Sequence, residues 1–286
     1  MENNLSEVVA NQTELLERAV SSLEKVTEQN EQTLLLLEQL RFNAALETQT
    51  EYFELVAANQ LSYLETIREI SSKGVGLARF GDGEILLASD PYRSISFQKG
   101  SHQLARELRD ILKSNRTNLL VALPGMVYQR WWLTVISKNW PVLRSVIPPE
   151  RKWGVYSVSR SSAFSAHRQE TVEAWRSCWD GRDVTIVTGK DSRFDLVDPL
   201  FSGINPRFVY GPARNAYADI DKIMDNLLAE DRDLVLLSLG PTATALAARL
   251  ADHGIQAIDV GHISASYNQV FNGAPAPEKL PVNRPR

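Results

Sequence analysis

The chain has 286 residues, 43% of them hydrophobic, a formal net charge of −4 at pH 7 and a single cysteine, Cys178. That supplies enough apolar material for a packed core and too little concentrated positive charge for a nucleic-acid stripe, and one cysteine excludes an internal disulfide and any Cys-rich zinc site. No run approaches the roughly 18 apolar residues of a membrane span, so the expected location is the cytoplasm, with peripheral association at the inner face of the membrane left open.

The charge is unevenly spread. Residues 1–72 carry four Lys/Arg against thirteen Glu and contain no Gly, Pro, Asp or Trp, whereas residues 73–286 hold 27 basic and 22 acidic groups and every Gly, Pro and Trp. Turns and core therefore belong to the second part, and a boundary is expected near Ser71-Ser72-Lys73-Gly74. In the first part Leu5, Val9, Leu16, Ala19, Leu23, Val26, Leu37, Leu40 and Ala44 follow a seven-residue repeat, with Gln12, Asn30 and Thr33 as its polar members. This is the pattern of an α-helical coiled-coil arm (residues 1–72) that self-associates, or of one amphipathic helix folded back on the globular part. The register slips after Ala44 and resumes through Phe53, Val56, Gln60, Tyr63, Ile67 and Ile70, which predicts one long helix or two joined at a stutter.

From residue 74 short β-rich runs alternate with helical patterns. Strands are expected at 75–80, 118–123, 184–188, 207–210, 234–239 and 256–260, and helices at 104–113, 127–139, 170–179, 216–229 and 242–253. Runs such as "DLVLLSLG" are apolar almost throughout, as in strands buried on both faces. They predict an α/β domain over 73–272: a Rossmann-like, mainly parallel sheet with flanking helices. The Pro-rich tail, 273–286, is expected to lie over the surface or fray. Ligands of such sheets sit at the carboxyl ends of strands, which singles out the loops 81–84, 188–193, 211–215 and 240–242.

The first loop lies in "ARFGDGE", residues 78–84. If Gly83 sits in a tight turn, Asp82 and Glu84 converge on one point and offer two hard oxygens to Mg²⁺ or Mn²⁺, while Gly81 lets backbone approach a ligand and Arg79 reaches phosphate oxygens. The competing reading makes Asp82 the N-cap of a helix, with Glu84 favoured by the positive helix end. In "TGKDSRF", Gly189, Lys190, Ser192 and Arg193 form either an anion-binding loop, without the Walker pattern, or a solvated turn. Gly240, Pro241 and Thr242 start a helix after a strand, a ready phosphate site or simply an efficient helix start. Past the last strand, Asp259 and His262 are candidates for base or metal ligand, against the ordinary fate of a lone structural histidine. No Gly-x-Ser-x-Gly elbow supports serine catalysis. The six tryptophans are expected mostly in the core, and an exposed one near the site would stack on a sugar ring.

Taken together, "ARFGDGE" with "FQKG" (97–100), "GKDSRF", "ARNAYADIDKI" (213–223) and "LGPTATALAARLADHGIQAIDVGH" ending at His262 resemble, in order and spacing over about 200 residues, the bacterial GT-D-type glycosyltransferases. The resemblance implies a Rossmann-like domain with an Asp-x-Glu metal motif, carried here by Asp82 and Glu84 and flanked by Arg79 and Gly81. It also implies transfer of a sugar from a nucleotide diphosphate donor, commonly a UDP-sugar, to a glycan or glycoprotein acceptor in building cell-surface polymers. The family often has an acidic residue after the Gly-His pair, whereas this chain has Ser264-Ala-Ser-Tyr-Asn268. The expected activity is a metal-dependent glycosyltransferase. Its rivals are a nucleotide-sugar hydrolase and a non-catalytic coiled-coil scaffold on a degenerate nucleotide fold.

Overall fold

The computed structural model describes residues 2–125 and 129–280, with side chains from Val8 onward. It divides into two compact units, Met1–Glu47 and Thr48–Arg286. The first is a stretch of the helix α1 (Glu2–Val56), whose heptad leucines Leu16, Leu23, Leu37 and Leu40 are open to solvent.

The unit boundary departs from the one expected near residue 72, and packing explains why. Tyr52 and Val56, at the end of α1, belong to the core on one face of the sheet. Ile67 and Ile70 of α2 (Tyr63–Lys73) belong to the core on the other face. A stretch free of Gly and Pro therefore reports helix, not a separate domain. Gly74 is the left-handed stop of α2 at φ 63°, and Ser62 and Glu65 exchange reciprocal bonds at its start, a capping box. Of the two expected forms, one long helix or two, the chain keeps a single helix across Ala44, and α1 runs on to Val56. The break comes at the 3₁₀ turn Ala57–Asn59, followed by Gln60, whose amide donates to Leu123 O at 2.8 Å and Gly154 O at 3.2 Å.

Seven parallel strands form one sheet: β1 (Gly76–Arg79), β2 (Leu119–Leu123), β3 (Gly154–Val155), β4 (Asp183–Gly189), β5 (Asn205–Gly211), β6 (Leu234–Ser238) and β7 (Ala257–Asp259). Their order is β3-β2-β1-β7-β6-β4-β5. The central strands are buried on both faces, as their unbroken apolar runs require. One face packs on α3 (Asp82–Ser89), α4 (His102–Lys113), α5 (Arg130–Val146), α8 (Ile220–Leu228) and α9 (Pro241–Asp252); the other packs on α2, α6 (Ser161–His167), α7 (Gln169–Trp179) and α10 (Ile263–Phe271).

The expected Rossmann-like sheet with flanking helices is what the chain forms. Helix α5 differs from the expected 127–139: residues 127 and 128 lie outside the described residues, and the helix passes through Pro141 to Val146 because Trp140, Leu143 and Val146 are all buried on it. Helices α3, α6 and α10 and the two-residue β3 carry no sequence periodicity long enough to announce them. Cys178 is a core residue whose thiol burial pushes up to about 12, well outside any reactive range. No described helix is long and apolar enough to cross a membrane.

Candidate active site

The carboxyl ends of β1, β3, β4, β6 and β7 surround a cleft of about 940 Å³. Of the residues singled out from sequence, Arg79, Gly81, Asp82, Glu84, Gly189, Ser192, Arg193, Gly240, Asp259 and His262 all line it. Lys190, Pro241 and Thr242 do not. Lys190 is exposed, and Thr242 is fully buried with its hydroxyl toward Gln98 Oε1 at 3.4 Å. A Cβ on Gly240 would lie 2.5 Å from the Phe97 ring. Of residues 240–242 only Gly240 lines the cleft, and the burial of the Thr242 hydroxyl argues against its expected phosphate contact.

One wall is acidic. Gly81 is the N-cap of α3 and Asp82 its first residue, so Asp82 is not the cap. Glu84, three residues on, accepts the Gly81 N–H at 2.8 Å, half of a capping box to which glycine returns nothing. Asp82 accepts the indole N–H of Trp131 at 2.9 Å. The tight turn expected at Gly83 is thus a helical first turn, and Asp82 and Glu84 reach the cleft from successive edges of it. Burial, then the charges of Asp259 and Asp82, raise the Glu84 carboxyl to about 7, against the opposing pull of its backbone bond and Arg79.

Behind them Arg79 donates from all three of its guanidinium nitrogens. Nε donates to Asp259 O at 2.8 Å, Nη1 to Tyr156 O at 3.1 Å and Nη2 to Asp259 Oδ1 at 3.0 Å. The pair is deeply buried, at 11% and 4% side-chain exposure, and Gly261 N–H also donates to Asp259 Oδ1 at 3.0 Å. Gly261 is indispensable to this clamp: at φ +49° it sits where a Cβ would be 1.8 Å from Arg79 Nη2. Arg79 therefore braces β1 to β7, each of its three guanidinium nitrogens already donating to protein, which argues against the phosphate contact expected of it. Asp259 Oδ1 is likewise taken up in this brace, which argues against the base role expected of it.

The opposite wall is basic and was half missed by the sequence reading. Arg160, at the start of α6, and Arg193, after β4, approach the two nitrogens of His262: Arg160 Nη1 lies 2.7 Å from Nδ1 and Arg193 Nη2 lies 3.0 Å from Nε2. A neutral imidazole has one lone pair, so in either tautomer only one of these contacts is a hydrogen bond. Burial and then Arg160, Arg193 and Arg79 lower the ring to about 3. Set between two guanidinium groups, the ring is disfavoured in its protonated form and both of its nitrogens face arginine, which argues against the base and metal-ligand roles expected of His262. Ser192 is used locally, 2.7 Å from Thr188 Oγ1 and accepting Phe194 N at 3.2 Å.

The tail completes this wall. Glu278 forms an ion pair with Arg160, and Arg193 Nη1 donates to Pro277 O and to Leu280 O, the latter at 3.2 Å. Of the two courses expected for the tail, lying over the surface or fraying, its described part takes the first, lying against the cleft through Leu280, while 281–286 fall outside the described residues. Trp131 is the exposed tryptophan at the rim, 51% accessible, and the other five are buried. No local pattern marks Arg160, Gly261 or Glu278 in the sequence, because the fold gathers them from three distant segments.

Among the described residues no three His, Cys, Asp or Glu side chains form a ready metal cage. The donor set nevertheless fits a divalent ion held jointly with a ligand. Asp82 and Glu84 present hard oxygens at the cleft, where Asp82, Glu84 and Asp259 place three carboxylates close to one another and to the clamped guanidinium of Arg79.

The comparisons with known proteins agree with this architecture. The model of the glycosyltransferase GT-D fold matches residues 77–284, and the chain belongs to that family. It is similar to the glycosyltransferase GlyD of Streptococcus pneumoniae serotype 4, at 29% identity over 226 residues, 73% of this chain and 27% of that protein. It is also similar to a probable glycosyl transferase, Gly, of Streptococcus gordonii, at 27% identity, covering 77% of this chain and 34% of the relative. The chain thus spans between a quarter and about a third of the length of these relatives. A solved structure described as the highly conserved domain of unknown function 1792, with a distinct glycosyltransferase fold, superposes with a TM-score of 0.74 at 28% identity, covering 84% of this chain and 90% of that one. A further one, described as a new glycosyltransferase from Streptococcus sanguinis, gives 0.67 at 28% identity, covering 76% and 85%. The likeness read from the sequence motifs is borne out.

Proposed function

We propose that the chain transfers a sugar from a nucleotide diphosphate donor, a UDP-sugar, to a glycan or glycoprotein acceptor, with Mn²⁺ or Mg²⁺ at Asp82 and Glu84. One observation carries this reading: a carboxylate pair and a guanidinium pair face each other across one cleft at the strand ends of a GT-D fold. A bound divalent ion supplies charge neutralisation to a departing diphosphate. The chain's own residues do the rest. Trp131 N–H fixes the Asp82 carboxylate, and the Gly81 N–H fixes one oxygen of Glu84 while leaving the other to the cleft. Arg160 and Arg193 exchange their tail contacts for phosphate oxygens, held apart at the right spacing by the neutral His262 ring between them. The exposed face of Trp131 is available to a sugar or base.

The test is a transfer assay with a UDP-sugar panel and a glycan acceptor, run with Mn²⁺ and with EDTA, on the wild type and Asp82→Asn. Transfer should require the metal and fall by on the order of 100-fold or more in the variant. Full activity in EDTA, or in a folded Asp82→Asn protein, overturns the assignment, and free sugar released in place of transfer identifies a hydrolase.

A further inference from the structure

The second inference comes from the N-terminal unit and is independent of the reaction. Between Val8 and Ala44 the three-four spacing is unbroken: Val9, Leu16, Leu23, Asn30, Leu37 and Ala44 fall at heptad position a, and Gln12, Ala19, Val26, Thr33 and Leu40 at d. These leucines and valines are exposed in the single chain, Leu16 and Leu23 each at 66%. The flanking positions decide what covers them. Positions e and g are usually charged in two-stranded coils, yet here they hold Val8, Leu15, Val20, Leu34 and Leu36, each at least half exposed, and only one charge, Arg41. The six glutamates of this stretch, at positions 14, 17, 24, 28, 31 and 38, fall without exception at b or f, on the far side of the helix.

A dimer seam would leave the apolar e and g residues in water, whereas three or more helices cover them. Identical chains do not repel, because their carboxylates all lie outside the seam, and a partner of opposite charge would find no matching charges at e and g. Orientation follows from Asn30. In a parallel, in-register bundle it meets its own copies and its amide is satisfied, whereas antiparallel packing sets it against apolar layers, an unpaired buried amide. We propose that the arm assembles copies of this chain into a parallel, in-register coiled coil of at least three helices, so that one assembly carries several transferase units.

Light scattering or equilibrium sedimentation of the full chain should give a mass at least three times the 32.1 kDa protomer. A monomer or dimer at micromolar concentration overturns the proposal. The e-position pair Val20→Glu with Leu34→Glu should lower the mass, and an unchanged mass would mean these residues are uncovered, as in a dimer seam. The a-position pair Leu16→Glu with Leu23→Glu should yield monomers whose globular unit unfolds at the wild-type temperature, while Glu24→Gln at b leaves the mass unaltered. Ala19→Cys at d should form an interchain disulfide on oxidation with copper phenanthroline, the native Cys178 being buried. Failure to cross-link within an intact assembly overturns the parallel register.

Discussion

The two walls of the cleft solve the same problem in opposite ways. On the β1–β7 side each guanidinium nitrogen of Arg79 donates to a protein acceptor that cannot leave: the Asp259 carboxylate, the Asp259 carbonyl and the Tyr156 carbonyl. On the other side Arg160 and Arg193 are satisfied by a tail carboxylate and tail carbonyls, and by a histidine that can accept from only one of them. A guanidinium clamped by its own sheet is a fixed element of the fold. One held by a surface segment can be released to an anion, and that difference, not proximity to the cleft, separates scaffold from binding group.

The largest expected effect tests the acidic wall. Asp82→Asn keeps the side chain's shape and its acceptor for Trp131, so the protein should unfold within about 1 kcal/mol of wild type, yet lose transfer almost wholly. A variant with both stability and turnover intact would move the chemistry elsewhere. Next is the clamp itself. Gly261→Ala adds a carbon into the Arg79 guanidinium at a left-handed φ, and unfolding free energy in urea should drop by about 2–4 kcal/mol. A loss below about 1 kcal/mol would mean that Arg79 relaxes freely and is not the brace described.

The pH dependence separates the walls further. The His262 ring is lowered to about 3 from its usual 6.5. The unfolded chain therefore takes up a proton on this ring below pH 6.5 that the folded chain refuses until about 3. The stability this site contributes is complete above pH 6.5 and is lost as pH falls through that window. His262→Gln should show a shallower acid decline between pH 6.5 and 3 in denaturant titrations at several pH values, and curves parallel to wild type would show that the ring is protonated in the native site.

How much of this was legible beforehand follows from the range of the interactions. The parallel sheet was readable because β2 and β6 are buried on both faces and so are apolar almost throughout. Asp82 and Glu84 were readable because their chemistry is local, two residues apart at a strand end. Their geometry was not: a Gly-flanked pair reads equally as turn or helix start, and Gly81 rather than Asp82 became the cap. The surroundings of Asp259 and His262 were hidden for a different reason. Each is defined by an arginine from a distant segment, 180 residues away for Arg79 and 102 for Arg160, and no spacing rule reaches that far. The domain boundary was misplaced because a helix-only stretch looks the same whether its end stands free or, as at Tyr52 and Val56, enters a core.

Smaller changes sharpen the comparison. Trp131→Phe keeps the ring and removes the bond to Asp82, so transfer should fall only several-fold, the worth of one hydrogen bond of about 1 kcal/mol. A change of 100-fold would make the indole N–H part of the reaction rather than a guide for the carboxylate.

The smallest effect belongs to the tail. Glu278 is 60% exposed in its pair with Arg160, and an exposed ion pair is worth at most about 1 kcal/mol. If that carboxylate competes with donor phosphate for Arg160, Glu278→Gln should tighten binding of UDP by no more than about fivefold, with no change in thermal stability, and the gain should shrink in high salt as the wild-type pair is screened. Binding that weakens instead would assign Glu278 the opposite part, as a group that orients Arg160 toward the ligand, and would place the tail with the fixed wall. Calorimetry at two salt concentrations decides between them, because competition makes the variant's advantage salt-dependent and orientation makes its deficit nearly independent of salt.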